Sequence, residues 1–221
     1  MRIVVTAGPT REYLDPVRFL SNPSTGKMGF AIAAEAARRG HEVVLVAGPV
    51  ALKTPKGVER VDVVSAREML AAALAAVGDN KRTTARETVL IATAAVADWR
   101  PAKCAAKKLK KGEMSGVLKL VRNPDILKTV DSYRKRSKSV GLRLVGFAAE
   151  TDHVLGEAAR KCREKGLEFI VANDVSEKGC GFGTDTNRVA FVFPDGTQRR
   201  FPLMTKRRVA MEILKEVERE L

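Results

Sequence analysis

Residues 2–40 decide the fold, and they read RIVVTAGPTREYLDPVRFLSNPSTGKMGFAIAAEAARRG. The run RIVVTAG is β-branched and ends in glycine, which predicts a buried strand. Phe30, Ala33, Ala34 and Ala37 recur at helical spacing and Gly40 ends the run, which predicts a helix over residues 26–40 with these residues on its buried face. Residues 8–25 form a long connection between the two. Connections of this length in compact α/β domains are usually functional or disordered.

The same alternation of strands and helices continues along the chain. Ser65 and Glu68 form a capping box at the start of a second helix. Further strands are predicted in HEVVLVAGP (41–49), VERVDVV (58–64) and TVLIATAAVAD (88–98), and further buried strands in RLVGFAAE (143–150) and EFIVAND (168–174). This order predicts a Rossmann-like, doubly wound, mainly parallel sheet. A β-hairpin over residues 187–203, around the turn PDG, and a helix from about Thr205 complete a single domain, 1–221.

Composition and charge narrow the possible classes of protein. A 45% hydrophobic content argues against disorder, and three cysteines without a C-x-x-C pair argue against a disulfide framework or zinc cluster. No apolar run of 18 residues and no signal segment occurs, so we expect a cytoplasmic protein without membrane contact. The net charge of +14 indicates either a solvated surface or attraction to nucleic acid or small anions.

The stretch SNPSTGKMG (21–29) suggests a phosphate site but matches neither common motif. A Walker A loop requires a glycine at Ser21 and a Ser or Thr at Met28. The dinucleotide fingerprint requires its glycines directly after the first strand, whereas Gly26 and Gly29 come far downstream. What remains is a helix start whose N–H groups can bind an anion, with Asn22 as either a ligand contact or an ordinary helix cap.

A second group of candidates follows the strand at residues 88–92. Ala92, Thr93 and Ala94 are small enough to let a ligand approach, and Asp98 is either a contact or a loop cap. A cluster of lysines then follows at positions 103, 107, 108, 110 and 111. These lysines form either a solvated segment or a cover that neutralises a triphosphate. Asn123 is predicted to cap the next helix, with Pro124 at its first position.

Several of these segments, in this order, resemble the phosphopantothenate–cysteine ligase family of coenzyme A biosynthesis. They are TAGPTREYLDPVRFLSNPSTGKMG (6–29), TAAVADWRP (93–101), KKLKK (107–111), NPDI (123–126), VGFAAET (145–151) and ANDVS (172–176). The resemblance implies that 4′-phosphopantothenate is activated by a nucleoside triphosphate, CTP more than ATP, with Mg²⁺. L-Cysteine then displaces the nucleoside monophosphate from the acyl-nucleotide. No flavin is expected, since the flavin-dependent decarboxylase half found in many members lies outside this sequence.

The resemblance also implies the roles of individual residues. Asn22 and Lys108 are the catalytic candidates, while Arg18, Asn22 and Ala94 are expected to bind phosphopantothenate. The nucleotide is expected at Ala92, Thr93, Ala94, Asp98, Lys108, Asn123, Pro124, Asp125, Ile126, Phe147, Lys161 and Lys165. Metal ligands are not predicted. The family implies a homodimer and a fused or separate decarboxylase partner.

Two other classes of function compete with this interpretation. An NAD(P)-dependent oxidoreductase shares the coarse topology, but the glycines of the first turn are missing. A basic nucleic-acid-binding module would explain the charge, but the chain has few aromatic residues for stacking and no recognised binding motif. We therefore expect small anionic substrates and no nucleic acid.

Overall fold

The structure is a computed structural model that describes residues 1–78, 87–110, 116–137, 141–150, 154–174 and 179–219. The strands are β1 (Arg2–Ala7), β2 (Arg11–Tyr13), β3 (Phe19–Ser21), β4 (Glu42–Ala47), β5 (Val58–Asp62), β6 (Thr88–Ala92), β7 (Trp99–Pro101), β8 (Leu120–Arg122), β9 (Leu142–Glu150), β10 (Phe169–Asp174), β11 (Thr186–Asn187), β12 (Val189–Val192), β13 (Gln198–Arg200) and β14 (Met204–Thr205). The helices are α1 (Lys27–Arg38), α2 (Ala66–Gly78), α3 (Ile126–Ser137), α4 (Val154–Glu164) and α5 (Lys206–Glu218).

Eight strands form the central sheet in the order β13-β12-β10-β9-β6-β1-β4-β5. The six strands from β10 to β5 are parallel to their neighbours. At the other edge β12 pairs antiparallel with both β10 and β13. The β12–β13 hairpin turns at Gly196, whose φ of 89° favours glycine. The predicted doubly wound sheet with its C-terminal hairpin and helix is confirmed.

Helices cover both faces of the sheet because alternate strand residues point to opposite sides. Ile3 and Val5 of β1 belong to a core with α1 and α5, and Val4 belongs to a second core with α2, α3 and α4. Strand β1 is central: the chain winds through β4 and β5 on one side and through β6, β9 and β10 on the other. The strand order therefore reverses between β1 and β6, which is where open α/β sheets bind ligands.

The two long connections are more regular than the sequence predicted. Strands β2 and β3 pair antiparallel within the first connection. Strands β7 and β8 pair antiparallel after β6, and β7 packs against β2. These two ribbons, residues 11–21 and residues 99–110 with 116–122, lie beside the carboxyl ends of β1 and β6. Of the predicted lysine cluster between β7 and β8, Lys111 lies outside the described residues.

Candidate functional site

A cavity of about 570 Å³ opens where the strand order reverses. Thr6 of β1 and the segment Ala92–Asp98 after β6 form its floor. Most of the predicted site residues line it, namely Asn22, Ala92, Thr93, Ala94, Asp98, Asn123, Pro124, Asp125, Ile126, Phe147, Lys161 and Lys165. Their position beyond the carboxyl ends of parallel strands follows from the topology of the sheet.

The first turn of α1 forms one wall of the cavity and depends on two glycines. Gly26 precedes the helix with a φ of 78°, in the left-handed region. At Gly29 a Cβ atom would lie 2.5 Å from the Ala7 Cβ and 2.6 Å from the Thr93 Oγ1, so only glycine lets α1 approach the strand ends. Because N–H groups of a first turn lack intrahelical partners, this wall can bind an anion.

Asn22 does not cap α1, so the capping interpretation is wrong. The residue that precedes the helix is Gly26, and no side chain caps it. The Asn22 Nδ2 instead donates to the Ala95 carbonyl at 3.1 Å and the Val96 carbonyl at 3.3 Å. Asn22 therefore joins the α1 segment to the β6 exit.

The exit of β6 is fixed by contacts with β1. The Thr93 Oγ1 donates to the Thr6 carbonyl at 2.7 Å, and the Ala94 N–H donates to the Thr6 Oγ1 at 3.4 Å. Asp98 has an exposed side chain, and its carbonyl accepts from the Asn123 N–H at 2.8 Å. This contact places the start of α3 beside the β6 exit.

The start of α3 differs from the prediction, because Asn123 is not its cap and Pro124 is not its first residue. The helix begins at Ile126, and the Asp125 Oδ1 accepts from the Lys128 N–H at 3.0 Å, as a cap does. The Asn123 Nδ2 instead donates to the Ala97 carbonyl at 2.8 Å. Asn123 thus links the two segments that line the cavity.

A cationic wall faces this helix start. Lys161 lies in α4, Lys165 follows it by one helical turn, and both line the cavity. The Lys165 Nζ lies 2.9 Å from the Asp125 Oδ2. Burial raises the pKa of Asp125, but the Lys128 N–H and Lys165 outweigh it, so the pKa falls below its ordinary value. The Asp125 carboxylate is therefore charged at neutral pH.

Sequence analysis missed several polar residues of the cavity, among them Lys27, Asn173, Asn187 and Lys206. The Oδ1 atoms of Asn173 and Asn187 are buried and have no hydrogen-bond partner among the described residues. A ligand hydroxyl or amine can satisfy them. Asn173 lies at the carboxyl end of β10, so the rule that identified the β6 exit would also have found it. Nothing in the sequence indicates that Asn187 and Lys206 fold back to this cavity.

Arg18 and Lys108 are not among the residues that line the cavity. The Arg18 Nε donates to the Asp15 Oδ2 at 2.9 Å, and its Nη2 donates to the Leu109 carbonyl at 2.9 Å. The Leu109 N–H donates to the Asp15 Oδ2 at 3.2 Å. The Arg18 guanidinium holds the pKa of Asp15 well below its ordinary value. This pair attaches the lysine segment to the β2–β3 ribbon, and Lys108 itself is exposed.

The described ranges of the chain contain neither a cluster of metal-ligating side chains nor a helix that could span a membrane. Within those ranges no three or more His, Cys, Asp or Glu side chains come together as a metal site. In the same part of the chain no helix is both long enough and apolar enough to cross a bilayer. Asp98 and Asp125 are the acidic residues that line the cavity.

Comparisons with known proteins agree with the fold. The chain is 45% identical over 216 residues to the coenzyme A biosynthesis bifunctional protein CoaBC of Bacillus subtilis, covering 97% of this chain and 50% of that protein. It is 46% identical over 220 residues to the protein of the same name from Escherichia coli K12, covering 98% and 51%. The crystal structure of the C-terminal domain of a CoaBC protein aligns with a TM-score of 0.78 at 43% identity, covering 98% of this chain and 93% of that chain.

The chain thus spans about half the length of the curated relatives it matches. The family model for the DNA/pantothenate metabolism flavoprotein C-terminal domain matches residues 1–221. The match covers the central sheet, the cavity and both ribbons. The chain belongs to the DNA/pantothenate metabolism flavoprotein C-terminal domain family.

Proposed function

We propose that this chain is a phosphopantothenate–cysteine ligase. The carboxylate of 4′-phosphopantothenate attacks the α-phosphate of a nucleoside triphosphate, which forms an acyl-nucleotide and releases pyrophosphate. The amine of L-cysteine then attacks the acyl carbon, loses a proton and expels the nucleoside monophosphate. The observation that carries the proposal is the cavity between β1 and β6, where twelve residues chosen from the sequence meet an anion-binding helix start.

The charges in the cavity suit the first step. Two lysines, Lys161 and Lys165, lie on the wall beside the α3 start. Cations placed before the reaction stabilise the charge that develops as pyrophosphate leaves. Lys108 is assigned to the same task by the family resemblance, and its exposed segment is attached to the β2–β3 ribbon through Asp15 and Arg18. Arg18 serves phosphopantothenate directly or through this attachment.

A magnesium ion would fit this site if the substrate phosphates supplied some of its ligands. Mg²⁺ is usually held by one or two carboxylates together with substrate phosphates and water. Asp98 and Asp125 are the acidic side chains available for this in the cavity. The ion supplies charge neutralisation at the phosphates. The reaction transfers no electrons, so it needs no flavin.

The acceptors in the cavity suit the nucleotide and the second step. Asn22 retains its Oδ1 for the acyl-nucleotide, since its Nδ2 is used by the Ala95 and Val96 carbonyls. The unpaired Oδ1 atoms of Asn173 and Asn187 suit the hydroxyl or amine donors of the substrates. CTP is the preferred nucleotide by resemblance to the bacterial family, with ATP as the alternative.

Two partners complete the proposal. The ribbons expose Val17, Phe19, Trp99, Val117, Leu118 and Leu120, and these apolar side chains suit the interface of a homodimer. The relatives are named bifunctional, which suits the fused or separate flavin-dependent decarboxylase partner that the family resemblance implies. A cytoplasmic, reducing location suits the three free cysteines, of which Cys104 is exposed.

The proposal is tested by pyrophosphate release from 4′-phosphopantothenate with CTP or ATP, with and without L-cysteine. We expect release with CTP, and phosphopantothenoylcysteine only when cysteine is added.

The Lys108→Gln variant should slow release by about 100-fold, the effect of losing one electrostatic group at a transition state. Tight NADPH binding without turnover of CTP or ATP would favour an NAD(P)-dependent oxidoreductase. Submicromolar binding to a specific nucleic acid sequence would favour a nucleic-acid-binding module.

A further inference from the structure

Lys27 is the first residue of α1 and lines the cavity, yet in this structure it is engaged elsewhere. Its Nζ lies 2.7 Å from the Asp185 Oδ1 and 2.9 Å from the Gly183 carbonyl. The Asp185 side chain is 85% exposed and the Lys27 side chain 34% exposed. An ion pair with so much solvent access stabilises a protein only slightly. Lys27 can therefore leave Asp185 at little cost.

The segment 179–185 does not depend on Lys27 for its position. The Thr25 Oγ1 donates to the Phe182 carbonyl at 2.9 Å. The Lys206 Nζ donates to the Gly181 and Phe182 carbonyls, each at 3.3 Å, and to the Thr184 carbonyl. Because these contacts remain when Lys27 moves, an exchange of partner at Lys27 leaves this wall of the cavity in place.

The surroundings of Lys27 favour an anion with more charge than one carboxylate. Gly26, Met28 and Gly29 of the same helix start also line the cavity. Lys206, which is 6% exposed, also lines this part of the cavity. Burial lowers the pKa of Lys206 and the nearby Lys27 lowers it further, so two ammonium groups share one region. A polyphosphate can meet both the helix start and Lys27, whereas the exposed Asp185 meets Lys27 from the solvent side.

We propose that Lys27 is a phosphate-binding residue of the cavity, and that Asp185 holds its ammonium group only until the polyphosphate of the nucleotide displaces it. This inference rests on the proposed function, because it takes a nucleoside triphosphate as the ligand. It assigns opposite effects to the two partners of one ion pair. Loss of Lys27 removes a ligand contact, while loss of the Asp185 charge removes a competitor.

The test is calorimetric titration of Lys27→Met, Asp185→Asn and Asp62→Asn with CTP, ATP, tripolyphosphate and cytidine. Asp62 is the matched control, because it is 70% exposed and its Oδ1 lies 2.7 Å from the Arg60 Nη2 in an ion pair outside the cavity. Its substitution changes the net charge as Asp185→Asn does. Thermal unfolding of each variant verifies that the fold is retained.

We expect Lys27→Met to weaken CTP and tripolyphosphate binding by about tenfold, the effect of one charge-assisted hydrogen bond, and to leave cytidine binding unchanged. Asp185→Asn should tighten CTP binding by about twofold to fivefold, and Asp62→Asn should not. Unchanged CTP binding in Lys27→Met, or an equal gain in both aspartate variants, overturns the inference. If either of these outcomes occurs but the wild type still releases pyrophosphate, the Lys27 inference fails and the proposed ligase function survives. If the wild type binds neither CTP nor ATP, the inference and the proposed function fail together.

Discussion

Asn22 shows how one side chain can serve both the fold and the chemistry. Its Nδ2 is used by the Ala95 and Val96 carbonyls, so the side chain is held in one orientation across the cavity floor. The Oδ1 that remains is an acceptor, and an incoming amine is a donor. The amide is therefore oriented by the protein before any substrate arrives, which is the condition for accurate placement of an acyl carbon.

Asn22→Asp should separate the two steps of the proposed reaction. A carboxylate cannot donate to the two carbonyls, so the side chain moves, and a displacement of about 1 Å can cost on the order of 100-fold in rate. The first step depends mainly on the cations and should stay within about tenfold of wild type. Single-turnover mass spectrometry with CTP, 4′-phosphopantothenate and L-cysteine should show acyl-nucleotide accumulating.

The outcome that contradicts this role is formation of phosphopantothenoylcysteine at the wild-type rate. Loss of both steps together would mean that Asn22 only supports the cavity floor. A useful comparison is Ser21→Ala, because the Ser21 Oγ donates to the Thr10 carbonyl at 2.7 Å and Ser21 is not a cavity residue. That variant should retain both steps.

At the scale of elements, α1 is held at its far end by a polar cluster with α5. Glu35 is 3% exposed and accepts from the Arg38 Nη2 at 2.7 Å and the Arg39 Nε at 2.8 Å. The Arg39 Nη1 reaches the Glu218 Oε2 of α5 at 2.6 Å. The Arg38 guanidinium is the main cause that lowers the pKa of Glu35 to about 2. The helix that presents the anion-binding turn is thus anchored by a charge network.

Glu35→Gln should destabilise the protein at pH 7 by about 2–3 kcal/mol in the free energy of unfolding. The folded-state pKa lies below the ordinary value of 4.5, so this stabilisation is present above about pH 4.5. It is lost as the pH falls toward 2, and the difference between wild type and variant should shrink over that window. Urea unfolding at pH 7, 4 and 3 measures it.

Glu164→Gln is the control for this experiment, because Glu164 is 55% exposed and pairs with Arg160 on the surface of α4. An exposed pair should contribute about 0.5 kcal/mol or less. A difference between wild type and Glu35→Gln that stays constant from pH 7 to pH 3 would contradict the linkage.

The long strands of the central sheet could be predicted from the sequence more accurately than the three-residue strands. All six predicted strand runs, from residues 2–8 to residues 168–174, contain strands of the sheet. Most of them are nearly continuous in hydrophobic residues, as buried parallel strands are, whereas β5 lies at the sheet edge and is only partly buried. Strands β2 and β7 have three residues each, which is too short for a period-two pattern to emerge. In α1 the buried stripe includes Ile32 and Ala36 while Ala34 is exposed, so the alanine-rich composition blurred which face packs.

Site residues could be predicted from the sequence where they directly follow the carboxyl end of a strand. The Ala92–Asp98 segment was found in this way, since carboxyl ends of parallel strands converge on one edge. Helix caps were less predictable, because Asn123 and Asp125 are equally good capping residues and only tertiary contacts decide between them. Asn187 in β11 and Lys206 at the start of α5 reach the cavity only because the C-terminal part of the chain packs against it, and no local sequence pattern predicts that packing.

At the scale of the whole molecule, the two ribbons carry six of the eight large apolar side chains that are exposed in the described part of the chain. Val17 is 55% exposed and Val117 is 82% exposed, and the contact of β2 with β7 brings the ribbons together. Most surface apolar residues occur singly and need no explanation, whereas a contiguous group indicates a binding face. The ribbons also adjoin the cavity, through Asn22 after β3 and Asp98 before β7. A second copy docked on this surface would therefore lie next to the site.

We expect the protein to be a dimer at micromolar concentration, and Val117→Glu with Leu118→Glu to raise the dimer dissociation constant at least about tenfold. A buried glutamate without a partner opposes association, and central apolar contacts carry most of the free energy of an interface. Leu203→Glu is the control, because Leu203 is 44% exposed and lies outside both ribbons. Sedimentation velocity across a concentration series measures the dissociation constant of each variant. A wild type that stays monomeric at about 100 μM, or a double variant that dimerises as the wild type does, would exclude this surface as the interface, since a stable homodimer has a dissociation constant well below that concentration.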